Sequence, residues 1–367
     1  MGARLGLLQF SEGYFSRIWG GRSLESLYQK PLPAGQPIGE IWLVSDHPQC
    51  VSEVLHGPHA GTGLRTLLEG PLCDAIMGSR ARLTHHGRFP LLLKLLDARE
   101  DLSIQVHPDD EKALAMGEPD VGKTEMWHVL QADPGSSLVC GLQPGVMAEQ
   151  FEAALAENTV QHLMKRFEAP SGTVVFVPAG TVHALGKGFV IAEIQQNSDL
   201  TYRIYDWDRR DDTGKLRELH LDKALAVINF DQSHGGPNMP LSYRIAGATV
   251  TVEGACRYFA SELLTITGAF FRDTEDASFH ILLGVEGTLD VETEFESTSL
   301  PPGAALMVPA CTRFYALCGP GKCLRFYVPD LYRDIVTPLR EGGHADTAIR
   351  MLGGTAPDND ISNVLSK

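Results

Sequence analysis

The sequence predicts a mainly β protein built from two barrels with a small helical insert. Three observations lead there. The chain has 367 residues, more than a single hydrophobic core usually holds. Short apolar runs punctuated by Gly and Pro recur along it, and from Tyr243 onward they follow one another as a series of short strands. One frame also occurs twice: Gly172-Thr-Val-Val-Phe-Val-Pro178 and Gly303-Ala-Ala-Leu-Met-Val-Pro309 both read G-x5-P.

Composition narrows the function classes. Apolar residues at 43% and charged residues at 21% are ordinary for a soluble globular protein. A net charge of −15 excludes general nucleic-acid binding, which needs a basic footprint. No apolar run reaches the length of a membrane span, and the N-terminus lacks a signal-peptide layout. Seven cysteines without a CxxC pair read as reduced thiols, small core residues of a cytoplasmic protein. No obligate protein partner is evident.

In chain order, Leu5–Gln9 is a strand candidate and Arg17-Ile-Trp-Gly-Gly-Arg22 a turn-rich stretch whose glycines permit close backbone approach to a ligand or a strand. Gly39–Ser45 reads as a strand, Leu64–Met77 as a short helix and Phe89–Leu96 as an apolar strand interrupted by Lys94. That lysine either snorkels or faces a polar cavity. Pro108-Asp109-Asp110-Glu111 opens a helix, with acids where the dipole favours them, so these acids need no catalytic role. Val146–Phe167 has helical periodicity and is expected as a helical pair inserted in the first barrel. Phe189–Ile194 is a strand and Leu219–Ile228 a short helix. The Gly- and Pro-rich linker Ser233–Pro240 then sets the boundary. The expected units are a metal-binding domain over 1–232 with its insert at 146–167, a metal-free domain over 241–330, and a tail over 331–367 that carries little signal.

The chemistry concentrates in LSIQVHPDDEKALAMGEPDVGKTEMW, Leu102–Trp127. On a strand, Ser103, Gln105 and His107 share one face while Leu102, Ile104 and Val106 take the other. A Gln/His face opposite an apolar one fits a strand that lines a ligand cavity. A lone strand histidine is more often structural, but a second segment changes the balance. Gly172 through Pro178-Ala-Gly180-Thr-Val-His183 fits G-x5-P-x-G-x2-H, the second metal motif of the cupin barrels. Its logic is mechanical: a buried strand ends at a Pro/Gly turn and the next strand points its His inward. Glu125 supplies a carboxylate, so Gln105, His107, Glu125 and His183 form a mixed N/O set suited to a divalent ion such as zinc. In the second G-x5-P copy Phe314 stands where His183 stands, so that barrel has lost its metal histidine and is expected to pack against the first and stiffen it.

On Ile104-Gln-Val-His-Pro-Asp-Asp110, Gly122-Lys-Thr-Glu-Met-Trp127, Pro178-Ala-Gly-Thr-Val-His183 and Gln196-Asn-Ser-Asp-Leu-Thr-Tyr-Arg203, the chain resembles the type I mannose-6-phosphate isomerases, zinc enzymes with the cupin fold. The resemblance runs from about Trp19 to Val328 and is to the compact bacterial form. It implies one Zn2+ per chain on the same four ligands, a sugar-phosphate substrate, and isomerisation of mannose 6-phosphate and fructose 6-phosphate through an enediol. It also implies that Lys123, Asp199 and Arg203 line the substrate site. Lys94, Ser103 and Trp19 are expected to bind substrate beside them.

Lys123 lies two residues before Glu125 and so shares its face. Cationic neighbours would depress its pKa and make it a base; the plainer reading is a lysine that counters Glu125. Arg203 would stabilise enediolate charge or hold phosphate, and Asp199 would assist ring opening. His107 is assigned to the metal first, which leaves the proton-transferring group open. Lys94, Lys123, Arg203 and Arg17 or Arg22 would reverse the negative field locally for a phosphorylated substrate. Two other readings use the same scaffold: an iron-dependent cupin dioxygenase, and a non-catalytic sugar-phosphate-binding cupin.

Overall fold

A computed structural model describes residues 5–210, 214–230 and 236–366. The chain is mainly β, arranged as two pairs of antiparallel sheets. The first pair has seven strands in one sheet and five in the other; the second has six and four. Alternation along the strands explains how they stack. On Leu91–Ala98, Leu91, Leu93 and Leu95 point one way and Leu92, Lys94 and Leu96 the other. The first set joins a cluster with Ile281, Leu283, Leu324 and Phe326 of the six-stranded sheet. Leu96 and Ala98 join Trp127, Ile191, Leu138 and Cys140, between the seven- and five-stranded sheets. A third cluster, with Leu264, Leu282 and Leu306 facing Val291, Tyr315 and Leu317, fills the second pair.

The seven-stranded sheet is therefore covered on both faces. Strands Ile38–Val44, Leu91–Ala98 and Phe189–Gln196 are buried at every position, which is why they read as nearly continuous apolar runs. A buried pair ties the two units together: His128 Nδ1 lies 2.5 Å from Glu253 Oε1, and Ser261 Oγ donates to Glu253 Oε2 at 2.7 Å.

Several elements differ from the sequence reading. Leu5–Gln9 is no strand; Leu8 makes one isolated bridge to Met307 of the second unit. The Arg17–Arg22 stretch lies largely within a long strand, Gly13–Gly21. Its glycines serve strand contact, because a Cβ on Gly20 would overlap the backbone of Gly39. Leu64–Met77 splits into helices Leu64–Glu69 and Cys73–Met77, broken at Gly70-Pro71. Val146–Phe167 holds one helix, Ala148–Ala156, and a 3₁₀ turn, Val160–Leu163, but its end is an edge strand, Met164–Glu168, paired with Ser137–Leu142. Part of the linker, 233–235, lies outside the described residues, yet Gly236–Pro237 still pairs with Val174–Val177 of the first unit. The tail is ordered: its helices lay Ile335, Leu339, Ile349 and Ile361 against Val252 and Tyr327.

Candidate metal centre and adjoining cavity

Strand register brings the candidate ligands together. On the five-stranded sheet Gln105, in Ile104–Val106, lies between His183 on one neighbour and Arg203 on the other. Residues directly opposite each other share a face, so His183, Gln105 and Arg203 form one row. The seven-stranded sheet supplies the facing row, where Trp127 is paired with Glu193 and Glu193 with Lys94. Glu125 lies two residues before Trp127 and points the same way.

His107, Glu125 and His183 present ligand atoms that all lie within 4.8 Å of one another, and all three are buried. His183 Nε2 is 3.2 Å from Glu125 Oε1, and His107 Nε2 is 3.5 Å from Glu125 Oε2. The Gln105 amide reaches His183 Nε2 at 3.2 Å, and rotation of that amide would present its oxygen instead. Each imidazole donates its other ring proton to a main-chain carbonyl: His107 Nδ1 to Leu200 at 2.7 Å, His183 Nδ1 to Thr181 at 2.9 Å. Those bonds fix the tautomers that leave both Nε2 lone pairs facing Glu125, the arrangement of metal-binding histidines. Burial pushes the His183 imidazole down to about 4. Burial, reinforced by Lys123, holds His107 well below its ordinary value. Neither Glu125 oxygen accepts a well-aligned hydrogen bond, although Lys123 Nζ approaches Oε2 at 2.6 Å. Two neutral imidazoles around an under-satisfied carboxylate form a donor set that fits a divalent cation.

Gln105 and Lys123 also line a cavity of about 350 Å³ whose walls include Trp19, Lys94, Ser103, Asp199 and Arg203. All the sequence-derived site residues thus meet at the His/Glu cluster or in the space beside it. Arg17 lines the cavity as well, whereas Arg22 does not; it caps carbonyls of Pro33 and Gln36. The Lys94 ammonium sits between Glu40 and Glu193 at 3.4 and 3.5 Å, so it faces the cavity rather than snorkelling.

Among the chain's own groups, burial opposes the charge of Lys123, but Glu125 and then Glu193 raise its pKa above the ordinary lysine value. A carboxylate in contact outweighs more distant cations. Reading the sequence missed Glu40, Glu193 and Arg217, which line the same cavity. Glu40 and Glu193 carried the signal that drew attention to Lys94, a charge inside an apolar strand. Burial works against the Glu40 charge, yet Lys94 and Arg17 hold its pKa down to about 2.

Behind His107 the Ser198–Leu200 turn is pinned by Asp120, which accepts the Asp199 amide at 3.1 Å, contacts His47 Nε2 at 2.9 Å and accepts from Arg88 at 2.5 Å. Burial opposes the charge of Asp120, but His47, the Asp199 amide and Arg88 lower its pKa to about 2. A carboxylate with a depressed folded pKa stabilises the fold above its unfolded pKa, and the gain disappears as pH falls through the folded value. A tenfold change in proton affinity is worth ~1.4 kcal/mol, so Asp120→Asn should cost about 2 kcal/mol at pH 7. The deficit should shrink between pH 4 and pH 2. Urea unfolding across that range checks it; a deficit that does not change with pH would refute the role.

A family profile described as phosphomannose isomerase type I, catalytic domain, matches residues 7–126. The mannose-6-phosphate isomerase of Streptococcus mutans is 33% identical over 296 residues, spanning 80% of this chain and 89% of the relative. The mannose-6-phosphate isomerase ManA of Bacillus subtilis is 35% identical over 269 residues, 71% of this chain and 80% of its own. A crystal structure of the mannose 6-phosphate isomerase from Bacillus subtilis superposes with a TM-score of 0.81 at 30% identity, over 88% of this chain and 99% of that one.

Proposed function

We propose a function from the premise that the chain belongs to the type I phosphomannose isomerase family: it is a metal-dependent aldose–ketose isomerase that interconverts mannose 6-phosphate and fructose 6-phosphate. The observation that carries this reading is the joining of the His107, Glu125 and His183 cluster to a cavity that also holds Lys123, Asp199 and Arg203. The dioxygenase reading gives those charged residues no part, and a non-catalytic binder could have lost Lys123, Asp199 or Arg203, all of which this chain keeps.

Zinc is the ion we assign to the site, one per chain, with Gln105, His107, Glu125 and His183 as its ligands. The N/O donors and their closed, buried setting support it. When bound, the metal supplies Lewis-acid polarisation of an oxygen on the open-chain sugar.

The remaining work falls to the chain's own groups. Isomerisation moves one proton between C1 and C2 and leaves an enediolate in between, so the site must hold the sugar, carry the proton and offset the charge. Ion pairs bind Arg17 to Glu40 and Arg217 to Asp206, while none engages Arg203 among the described residues. Arg203, opposite Gln105, is therefore the cation we assign to the enediolate. Lys123 Nζ, 3.3 Å from His107 Nε2, lies where it can pass a proton to or from a sugar oxygen. Asp199 accepts from Gln49 Nε2 at 3.0 Å on the cavity wall and is assigned to ring opening. Trp19, Ser103 and Lys94 shape the sugar site. We read each pair of facing sheets as a cupin barrel, over 1–232 and 241–330, with 331–367 as a helical cover.

A coupled assay of mannose 6-phosphate conversion, before and after chelation, tests the assignment. Activity should vanish with chelator and return with zinc. Undiminished turnover in protein shown to be metal-free would overturn it.

A further inference from the structure

The two sheet pairs share one plan of strand pairing, and this allows residues to be matched between them. In the first, Glu125 is paired with Val177, immediately before Pro178, and Trp127 with Glu193, which is paired in turn with Lys94. In the second, His280 is paired with Val308, immediately before Pro309, and Leu282 with Arg325, which is paired in turn with Glu262. His280 thus occupies the place of Glu125, and Arg325 and Glu262 occupy those of Glu193 and Lys94 with the charges exchanged. The interior of the second pair has stayed polar at the same end. It opens into a cavity of about 940 Å³, larger than the one beside the metal cluster.

We infer that this second cavity is a binding site for a small phosphorylated metabolite, recognised by Arg272, Arg244 and Arg325. Arg325 is buried and fixed from behind, its Nε donating to Glu262 at 3.0 Å while Tyr327 donates to the other oxygen of that carboxylate at 2.8 Å. Arg272 is stacked on Phe270 at 4.8 Å, and its solvent-shielded Nε has no hydrogen-bond partner. No ion pair engages Arg272 or Arg244 among the described residues. Of the four acids that line it, Asp334 and Glu275 pair with Arg80 and Arg333 and Asp273 with Arg313, which leaves Glu341 without an ion pair among the described residues against the two arginines Arg272 and Arg244. Positive potential is therefore left for an incoming anion, and arginine forks suit phosphate. The same field acts on His280, which burial first, then Arg325, Arg272 and Arg80, keep below its ordinary pKa. The Tyr243 hydroxyl lines the same space and suits a sugar or polyol, whereas those of Thr274 and Ser278 donate to the Ala310 and Phe279 carbonyls. With His280 in place of Glu125 and the exposed Phe314 in place of His183, no second His/Glu cluster forms there among the described residues, and we assign the cavity to binding.

Calorimetric titration of the zinc-loaded protein with fructose 6-phosphate, and separately with inorganic phosphate, tests this. We expect two sites per chain. Arg272→Gln and Arg244→Gln should each weaken one site at least tenfold while the other site, kcat and KM at the first cavity stay unchanged. Arg244 is exposed, so its replacement keeps the test open should Arg272→Gln fold poorly. Binding that neither variant weakens, whether one site per chain is seen or two, would overturn the inference. Because binding is read directly, the result stands whether or not the first cavity turns over its substrate.

Discussion

His183→Ala should leave the protein without stoichiometric metal and slow mannose 6-phosphate turnover by at least about 10³-fold, since the Lewis-acid contribution is worth several kcal/mol and each ~1.4 kcal/mol is tenfold. The argument is geometric. His183 is fully buried, its Nδ1 proton is committed to the Thr181 carbonyl, and its Nε2 is 3.2 Å from Glu125 Oε1. Alanine removes one nitrogen donor and leaves the Glu125 carboxylate facing Lys123 and one imidazole. Metal analysis alongside steady-state kinetics reads both consequences. A variant that still holds one metal ion per chain and turns over within tenfold of the parent would remove His183 from the ligand set.

Arg203→Ala should lower kcat by about 10²–10³-fold, the size of effect seen when one charge-stabilising donor is lost, while metal content stays at one per chain. Arg203 sits opposite Gln105 in the same row as His183, and among the described residues its guanidinium makes one hydrogen bond, to the Glu218 carbonyl at 2.8 Å, which leaves most of its donors for the cavity. Lysine should rescue little, because a point charge cannot reproduce the guanidinium fork. Kinetics on protein of verified metal content and unchanged melting temperature decides the matter. A near-normal rate would assign the enediolate charge to another group.

The parts of the site legible in the sequence were those set by short-range geometry. Alternation placed Ser103, Gln105 and His107 on one face, and the G-x5-P-x-G-x2-H spacing delivered His183. The parts that were not legible depend on pairing between distant strands. Glu193 joins the site because it lies between Lys94 and Trp127, strands separated by many residues, and nothing local to FVIAEIQQ states that register. The same limit explains the Val146–Phe167 insert. Met164–Glu168 is half-exposed at a sheet edge, so its side chains lack the alternation that would have marked it as a strand. The Lys123 pKa direction turned on the 2.6 Å contact with Glu125, a distance that spacing alone does not supply.

Glu125 comes from the seven-stranded sheet, whereas Gln105 and His183 come from strands of the five-stranded sheet and His107 lies one residue beyond such a strand. A cation held by all four would act as a rivet between two separately hydrogen-bonded layers. One of these layers is clamped on its far side by the second unit, and the other is not, so the rivet mainly restrains the five-stranded flap. Binding to the folded form alone adds RT ln(1 + [L]/Kd), about 4 kcal/mol at a thousandfold excess over Kd. Amide exchange in Ile104–Val106 and His183–Ala184 should therefore slow on zinc loading far more than exchange in Leu91–Ala98, whose protection the second unit already provides.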